Sequence, residues 1–463
     1  MHVQKIPITV LRCSSTLGAL FMSALMGIGM CGGALAASTT AKPVYAFKGG
    51  SDGWYPSASM IADKNGNLYG TTFEGGASAN CEGQGALGCG TVFELTPPAH
   101  VGGAWTETVL YTFQGGSADG AFPEALMIFD QAGNLYGATS GGGFATRCSG
   151  GCGVIFELSP PSAPGGAWTE TVLHLFTGVP SGQGNGDVAW PNNIVLGSDG
   201  DIYGMGYNGG HCFSNETGTH CYGAVFELQR PAGPAGAWTE TILYIFKGPA
   251  GGPQSAISDR SGNLYGSAAG GPLGFGVIFQ LTPTANGPWT YNDIHDFRDA
   301  PDGAFVVNGL AMDPARNIYG ATLGGGNGVP GDGSVFELQP PASQGGPWTE
   351  SVLYTFANGT VGNSPATGPV LDRAGNLYGA VDGGGAFNFG AVYKLTPASG
   401  SPWTETILYN FLGGANGAAP IGGLNFGKFG ALYGTTESGG IEGPDCKNAD
   451  TGERCGLVFT VAP

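Results

Sequence analysis

Residues 125–140 read ALMIFDQAGNLYGATS, residues 153–158 read GVIFEL and residues 168–176 read WTETVLHLF. Val, Ile, Leu, Phe, Tyr and Thr fill these runs, and Gly, Pro, Asp and Asn bound them, which is the pattern of short strands. Four strands are predicted: A over 125–129, B over 135–139, C over 154–158 and D over 169–176. The A–B turn is Asp130-Gln131-Ala132-Gly133-Asn134. Its Asp side chain can accept from backbone amides, and its Gly can take positive φ.

The same unit recurs along the chain. Asn67-Leu68-Tyr69-Gly70 returns around Tyr136, Tyr203, Tyr265, Tyr319, Tyr378 and Tyr433, at a mean spacing of about 61 residues. The strand C phrase opens at Gly90, Gly153, Gly223, Gly276, Gly333, Gly390 and Gly456. The strand D phrase starts at Trp105, Trp168, Trp238, Trp289, Trp348 and Trp403. It occurs one time fewer than the other two. Its tail, Val44-Tyr45-Ala46-Phe47, stands alone near the N-terminus. Seven units of four antiparallel strands predict an all-β, seven-bladed β-propeller, residues 37–463 forming one domain. The N-terminal strand is expected to complete the last blade and close the ring. An open solenoid would leave both end strands unpaired. Turns resembling that at Asp130 start at Asp63, Asp259, Asp313 and Asp372, and lack the ligand density of calcium loops.

These phrases, over residues 43–461, resemble the GloVer tandem repeat of choice-of-anchor bacterial exported proteins. The resemblance implies export but no particular activity. Such proteins often end in a sorting anchor, whereas this sequence ends Val461-Ala462-Pro463.

Composition agrees with a turn-rich β fold. Gly (89) and Pro (31) make up about a quarter of 463 residues, yet 41% of the chain is hydrophobic and 11% aromatic, enough for a core. Charged residues are only 11%, and the formal charge is −18. That argues against a helical bundle, a coiled coil and a nucleic-acid binder.

Lys5, Arg12, an apolar stretch over about 17–35 and Ala34-Leu35-Ala36 predict a signal peptide over residues 1–36. No membrane insertion is expected after its cleavage, and the mature protein is expected to be periplasmic or extracellular. The remaining cysteines fall in close pairs: Cys81 with Cys89, Cys148 with Cys152, Cys212 with Cys221, and Cys446 with Cys455. Even count, short spacing and the export signal predict four local disulfides, at one common place in the repeat, rather than metal sites.

The B–C loops vary most, hold all four pairs and share one face with the D–A connections. That face is where binding is expected. The connections supply Asp52, Trp54 and Tyr55 in the first blade, Asp119 and Phe122 in the second, Trp190 in the third, and Asp302 and Phe305 in the fifth. Aromatic faces beside carboxylates suit sugar rings. The competing reading has the aromatics packing between blades and each Asp capping a turn. At the start of strand A, Glu124, Asn192, Asn193, Gln254 and Asn308 are expected to line the channel mouth. His174 and His295 replace the Tyr of the strand D phrase and read as structural. Gly49-Gly50-Ser51-Asp52-Gly53 fits a nucleophile-elbow pattern without the strand–turn–helix context that the chemistry needs.

The functional expectation is a monomeric, non-catalytic exported propeller that needs no cofactor and binds an extracellular glycan or protein. The alternatives are a lyase or hydrolase with a divalent cation near Glu124, and a cell-envelope scaffold.

Overall fold

The computed structural model describes residues 41–463 except 79, 82–87, 101–102, 145–147, 164, 179–186, 216–217, 234–235, 248–250, 286, 327–331, 344, 357–361, 399–402, 442–445 and 447–454; side chains of 213–220 are also outside it. The signal-peptide expectation lies outside the described residues. The chain parts into two units, residues 1–38 and 39–463, and the description below concerns the second.

Seven antiparallel sheets form a seven-bladed β-propeller. In the first blade Ile61–Ala62, Leu68–Thr72, Thr91–Thr96 and Thr106–Thr112 pair in that order, as strands A to D. In the last, Lys42–Ala46 pairs with Leu457–Val461, which pairs with Leu432–Thr436. The N-terminal strand is therefore strand D of blade 7, as the displaced phrase predicts.

In blades 1, 4 and 6 strand B is buried along its length, because neighbours cover both faces of the blade. Strand D alternates exposed Thr with half-buried residues, as an outer strand with one wet face should. The Tyr-Gly and Val-Phe phrases are physically coupled. Gly137 is the register partner of Phe156. A Cβ at Gly137 would stand 2.3 Å from the Phe156 ring. The tip of the ring thus occupies the space at Gly137 that a side chain would fill.

Blades are joined by a repeated ring contact. The Phe ending strand D of one blade meets the strand C aromatic of the next edge-to-face. The pairs include Phe113–Phe156, Phe176–Phe226 and Phe246–Phe279 at 5.1, 5.1 and 5.3 Å between centroids. The closing seam has the same contact, Phe47–Phe93 at 5.1 Å. The turn Asp residues act as expected: Asp130 Oδ1 accepts from the amides of Ala132 and Asn134 at 2.8 and 2.9 Å.

Two elements differ from expectation. In blade 2 the predicted strand A, 125–129, pairs only over Ile128–Phe129, and the connection before it forms its own segment, Gly120–Pro123. Pairing starts early because strand B runs on to Gly142, giving the connection a partner. In blade 3 the B–C segment is a separate two-stranded hairpin rather than a loop. Cys212–Asn215 pairs with Gly218–Cys221, and Cys212 faces Cys221 across the ladder.

Candidate functional site

In blades 2 to 5 the D–A connection includes a strand segment, whereas in blades 1 and 7 it holds a short 3-10 turn. In blade 3, Val188–Leu196 runs from the connection through strand A and pairs with Ile202–Gly209. In four connections an aromatic residue takes the left-handed conformation: Tyr55, Phe122, Trp190 and Phe305, with φ between 57 and 62°. Such a conformation costs about 1–3 kcal/mol in a bulky residue. A contact between blades holds it. The amides of Tyr55, Phe122 and Trp190 donate to the carbonyls of Cys455, Cys89 and Cys152, at 3.2, 2.9 and 2.9 Å, and Phe305 donates to Phe275 at 2.6 Å. Three of the four acceptors are disulfide cysteines.

All four predicted disulfides form: Cys81 with Cys89, Cys148 with Cys152, Cys212 with Cys221, and Cys446 with Cys455. They do not all occupy the same place, which corrects the expectation. Cys89, Cys152 and Cys455 immediately precede the Gly that opens strand C, whereas Tyr222 stands between Cys221 and Gly223. The residue before that Gly is the one whose carbonyl meets the next connection. In blade 3 it is accordingly Tyr222, not Cys221, that accepts, from the Gly252 amide at 2.9 Å. The Cys212–Cys221 bridge therefore ties the hairpin to itself.

The others brace the connections. A Cβ at Gly115 or Gly178 would fall within 3.0 Å of the sulfurs of Cys81–Cys89 or Cys148–Cys152. These two bridges pack directly against the connections, stiffening the face that carries the left-handed aromatics.

A cavity of about 410 Å³ opens where this face meets the channel. Phe122, Trp190 and Tyr207 give it aromatic walls, and Glu124, Asn192, Gln254 and Asn308 give it polar groups. Asn192 and Gln254 sit at irregularities in the A–B ladder, between the paired residues Pro191 and Asn193 and between Pro253 and Ser255. Bulges of this kind re-aim a side chain. Asn192 Nδ2 donates to the Pro253 carbonyl at 2.9 Å, while its Oδ1 is buried without a partner. Glu124 is solvent-accessible, but the protein crowding round it raises its carboxyl above the usual range by desolvation.

The mouth is asymmetric. Two residues beyond the left-handed position and its equivalents stand Ser57, Glu124, Asn192 and Gln254 in blades 1–4, but Val307, Ala366 and Ile421 in blades 5–7. The cavity takes Glu124, Asn192 and Gln254 from this polar set and Asn308 from blade 5.

The other expected residues are placed elsewhere. Asn193 lines a second cavity, of about 830 Å³, among apolar strand A residues such as Ile128, Val195 and Leu310. Trp54 is one register position from Trp190: its amide donates to the Glu74 carbonyl at 2.8 Å, and its ring packs on the cluster containing Phe47 and Cys455. The two tryptophans that look equivalent in sequence therefore differ, and Tyr55 is the residue matching Trp190. Phe305 is 50% exposed but does not line the cavity.

Asp52, Asp119 and Asp302 lie in the seams between blades. Asp119 accepts from Tyr111 Oη at 3.0 Å and from the Gln114 amide at 2.6 Å. Asp52 accepts from Tyr45 Oη and from the Lys48 amide, and Asp302 from the Arg298 amide at 2.9 Å. The Glu of the Trp-Thr-Glu phrase joins each seam. Burial, then the adjacent Asp, pushes Glu107, Glu170 and Glu350 up to about 7.

Sequence reading missed Tyr207 and Phe73, whose ring lies 5.0 Å from that of Phe122. Both stand four residues after the repeated Tyr, a position that varies between units and could have flagged them.

No curated protein matches the chain. Solved structures similar to it include a putative oxidoreductase (glucose dehydrogenase) from Thermus thermophilus, with 14% identity, a TM-score of 0.40, and 92% of this chain and 100% of that one covered. A gluconolactonase from Xanthomonas campestris matches with 13% identity and a TM-score of 0.40, over 76% and 97%. A protein from Lactobacillus plantarum matches with 13% identity and a TM-score of 0.46, over 76% and 84%. The sequence model of the Gloeobacter/Verrucomicrobia repeat matches residues 33–219 and 211–444. These matches take in all seven repeated Tyr-Gly phrases, and the chain belongs to the Gloeobacter/Verrucomicrobia repeat family.

Proposed function

We propose that this chain is an exported, non-catalytic propeller that binds an extracellular glycan at the polar half of its channel mouth. The observation that carries this reading is the composition of the cavity. Phe122, Trp190 and Tyr207 offer faces to the apolar C–H surface of a sugar, while Asn192, Gln254 and Asn308 offer amides to its hydroxyls. Glu124 adds a carboxyl that can accept from sugar hydroxyls. Four disulfides and the basic, apolar N-terminal segment support export. No helix among the described residues is long and apolar enough to cross a membrane.

Glycan-array screening followed by calorimetry on the disulfide-intact protein tests the reading. Trp190→Ala should weaken binding about tenfold or more, the loss of an aromatic anchor worth ~1–2 kcal/mol. Phe305→Ala, which alters an exposed ring outside the cavity, should leave it unchanged. The proposal fails if no glycan binds, if Trp190→Ala keeps the wild-type profile, or if only proteins are captured. The rival reading, a lyase or hydrolase acting through a cation on Glu124, predicts a bound divalent ion that Glu124→Gln removes.

A further inference from the structure

We propose that the seam between blades 2 and 3 is a zinc site, with His174, Asp187 and Glu240 as its ligands. His174 comes from strand D of blade 2, Thr169–Leu175, and Glu240 from strand D of blade 3, Thr239–Ile245. Asp187 lies in the connection between them, immediately before the strand Val188–Leu196. One ligand atom from each residue lies within 4.8 Å of the other two. Among the described residues, no other set of three His, Cys or carboxylate groups is gathered this closely. His174 Nε2 stands 3.5 Å from Glu240 Oε2. That matches the roughly 3.3–3.5 Å edge of a tetrahedron with metal–ligand bonds near 2.0–2.1 Å.

Two independent observations point to a ligand. First, each residue presents a buried atom without a hydrogen-bond partner: His174 Nε2, Asp187 Oδ1 and Glu240 Oε1. The other Asp187 oxygen is already used, accepting from the amide and hydroxyl of Thr177. Second, equivalent seams are filled differently. In the seams of Asp52 and Asp119, a Tyr stands where His174 does, and its hydroxyl donates to the Asp. In the seam of Asp302, His295 reaches the Asp directly, at 3.3 Å. His295 Nε2, like His174 Nε2, has no hydrogen-bond partner, and the Glu of the other seams leaves an oxygen unpartnered too. What sets the His174 seam apart among the described residues is that an imidazole and two carboxylates are gathered within 4.8 Å.

Two adjacent carboxylates cannot both stay ionised in so crowded a place. Something positive must join them, either a proton or a cation. The carboxyl of Glu240 is pushed up to about 9 by burial and by Asp187, and burial lowers the imidazole of His174. A zinc ion would take the place of the Glu240 proton, and its two positive charges would balance the two carboxylates. A water is expected in the fourth position. Asp187 lies three residues before Trp190 on the same connection, so the ion would fasten the segment that carries a wall of the candidate glycan cavity.

The test is zinc titration of the purified, disulfide-intact protein after removal of metals with a chelator, read by calorimetry and by thermal melting. Wild type should take up one equivalent at micromolar affinity or tighter. At about a hundredfold excess over Kd its melting temperature should rise by roughly 3 °C. His174→Tyr restores the residue that the repeat uses at Tyr45, Tyr111 and Tyr244, so the fold should tolerate it. That variant should melt like the metal-free wild type and lose the zinc-dependent rise. His295→Tyr should keep it. The proposal is overturned if wild type binds no zinc at these concentrations, in which case a shared proton fills the seam. It is equally overturned if His174→Tyr binds with unchanged stoichiometry and affinity.

Discussion

Phe47→Ala tests the ring closure directly. Phe47 ends the strand that the N-terminal segment lends to blade 7, and it is fully buried. Its ring meets Phe93 of blade 1 at 5.1 Å and Tyr45 at 5.3 Å, and its amide donates to the Gly456 carbonyl at 3.1 Å. Phe246 holds the equivalent place in an interior seam and is 1% exposed. Truncating a buried Phe to Ala costs about 3–5 kcal/mol, from the lost transfer energy and the cavity left behind. The unfolding entropy of a domain this size is about 0.9 kcal/mol/K, at ~2.1 cal/mol/K per residue. Phe47→Ala and Phe246→Ala should each lower the melting temperature by about 3–6 °C, measured by calorimetry under non-reducing conditions. The equality is the sharp part. If Phe246→Ala falls as expected while Phe47→Ala stays within about 1 °C of wild type, the N-terminal strand is not paired in solution and the closure described here is wrong.

Two further outcomes follow from the seams. Glu107, Glu170 and Glu350 are raised to about 7, so folding favours their protonated forms. The stability they add is complete below their ordinary value near 4.5 and is lost as pH climbs through 7. Each is partly exposed, so screening cuts the effect to about 1 kcal/mol apiece. In about 0.3 M salt, which damps long-range repulsion, the melting temperature should fall by roughly 2–3 °C between pH 5 and 8. The triple Glu→Gln variant should flatten that slope; a wild-type melting temperature that rises over this range would contradict the assignment. Gly153→Ala should cost about 3 kcal/mol or more in denaturant unfolding, because φ is +88° and a Cβ would stand 2.2 Å from the Thr139 carbonyl oxygen and 2.7 Å from Pro191 Cδ. A loss under about 1 kcal/mol would show that strand C need not press on the next blade there.

The candidate site was half legible in the sequence. Glu124, Asn192, Gln254 and Asn308 were readable as channel-mouth residues because each stands at the start of a strand A. Phe122 and Trp190 were readable as aromatics in a D–A connection. Asn193 was misplaced because its neighbour Asn192 interrupts the ladder, and alternation fails across a bulge. Trp54 was grouped with Trp190 because a one-residue offset inside Asp52-Gly53-Trp54-Tyr55-Pro56 is invisible until the left-handed turn at Tyr55 is seen. Cys221 was grouped with Cys89, Cys152 and Cys455 in the same way, although the extra Tyr222 moves it off the connection.

The repeat by itself determined the fold. Strand signals of period two, turn residues at fixed offsets and the stray Val44-Tyr45-Ala46-Phe47 left one closed arrangement of seven units. The close cysteine pairs likewise determined the bridges, since short loops bring their own ends together. Only the tertiary structure decided what faces what. Side chains as far apart as Asp187 and Glu240 gather in one seam, and Glu124 and Asn308 line one cavity. Those meetings depend on blade rotation, bulges and left-handed turns, none of which a linear pattern records. The seam of Asp119 and that of Asp187 look alike in sequence. In space a tyrosine hydroxyl completes the first, and the second is left with three unpartnered ligand atoms.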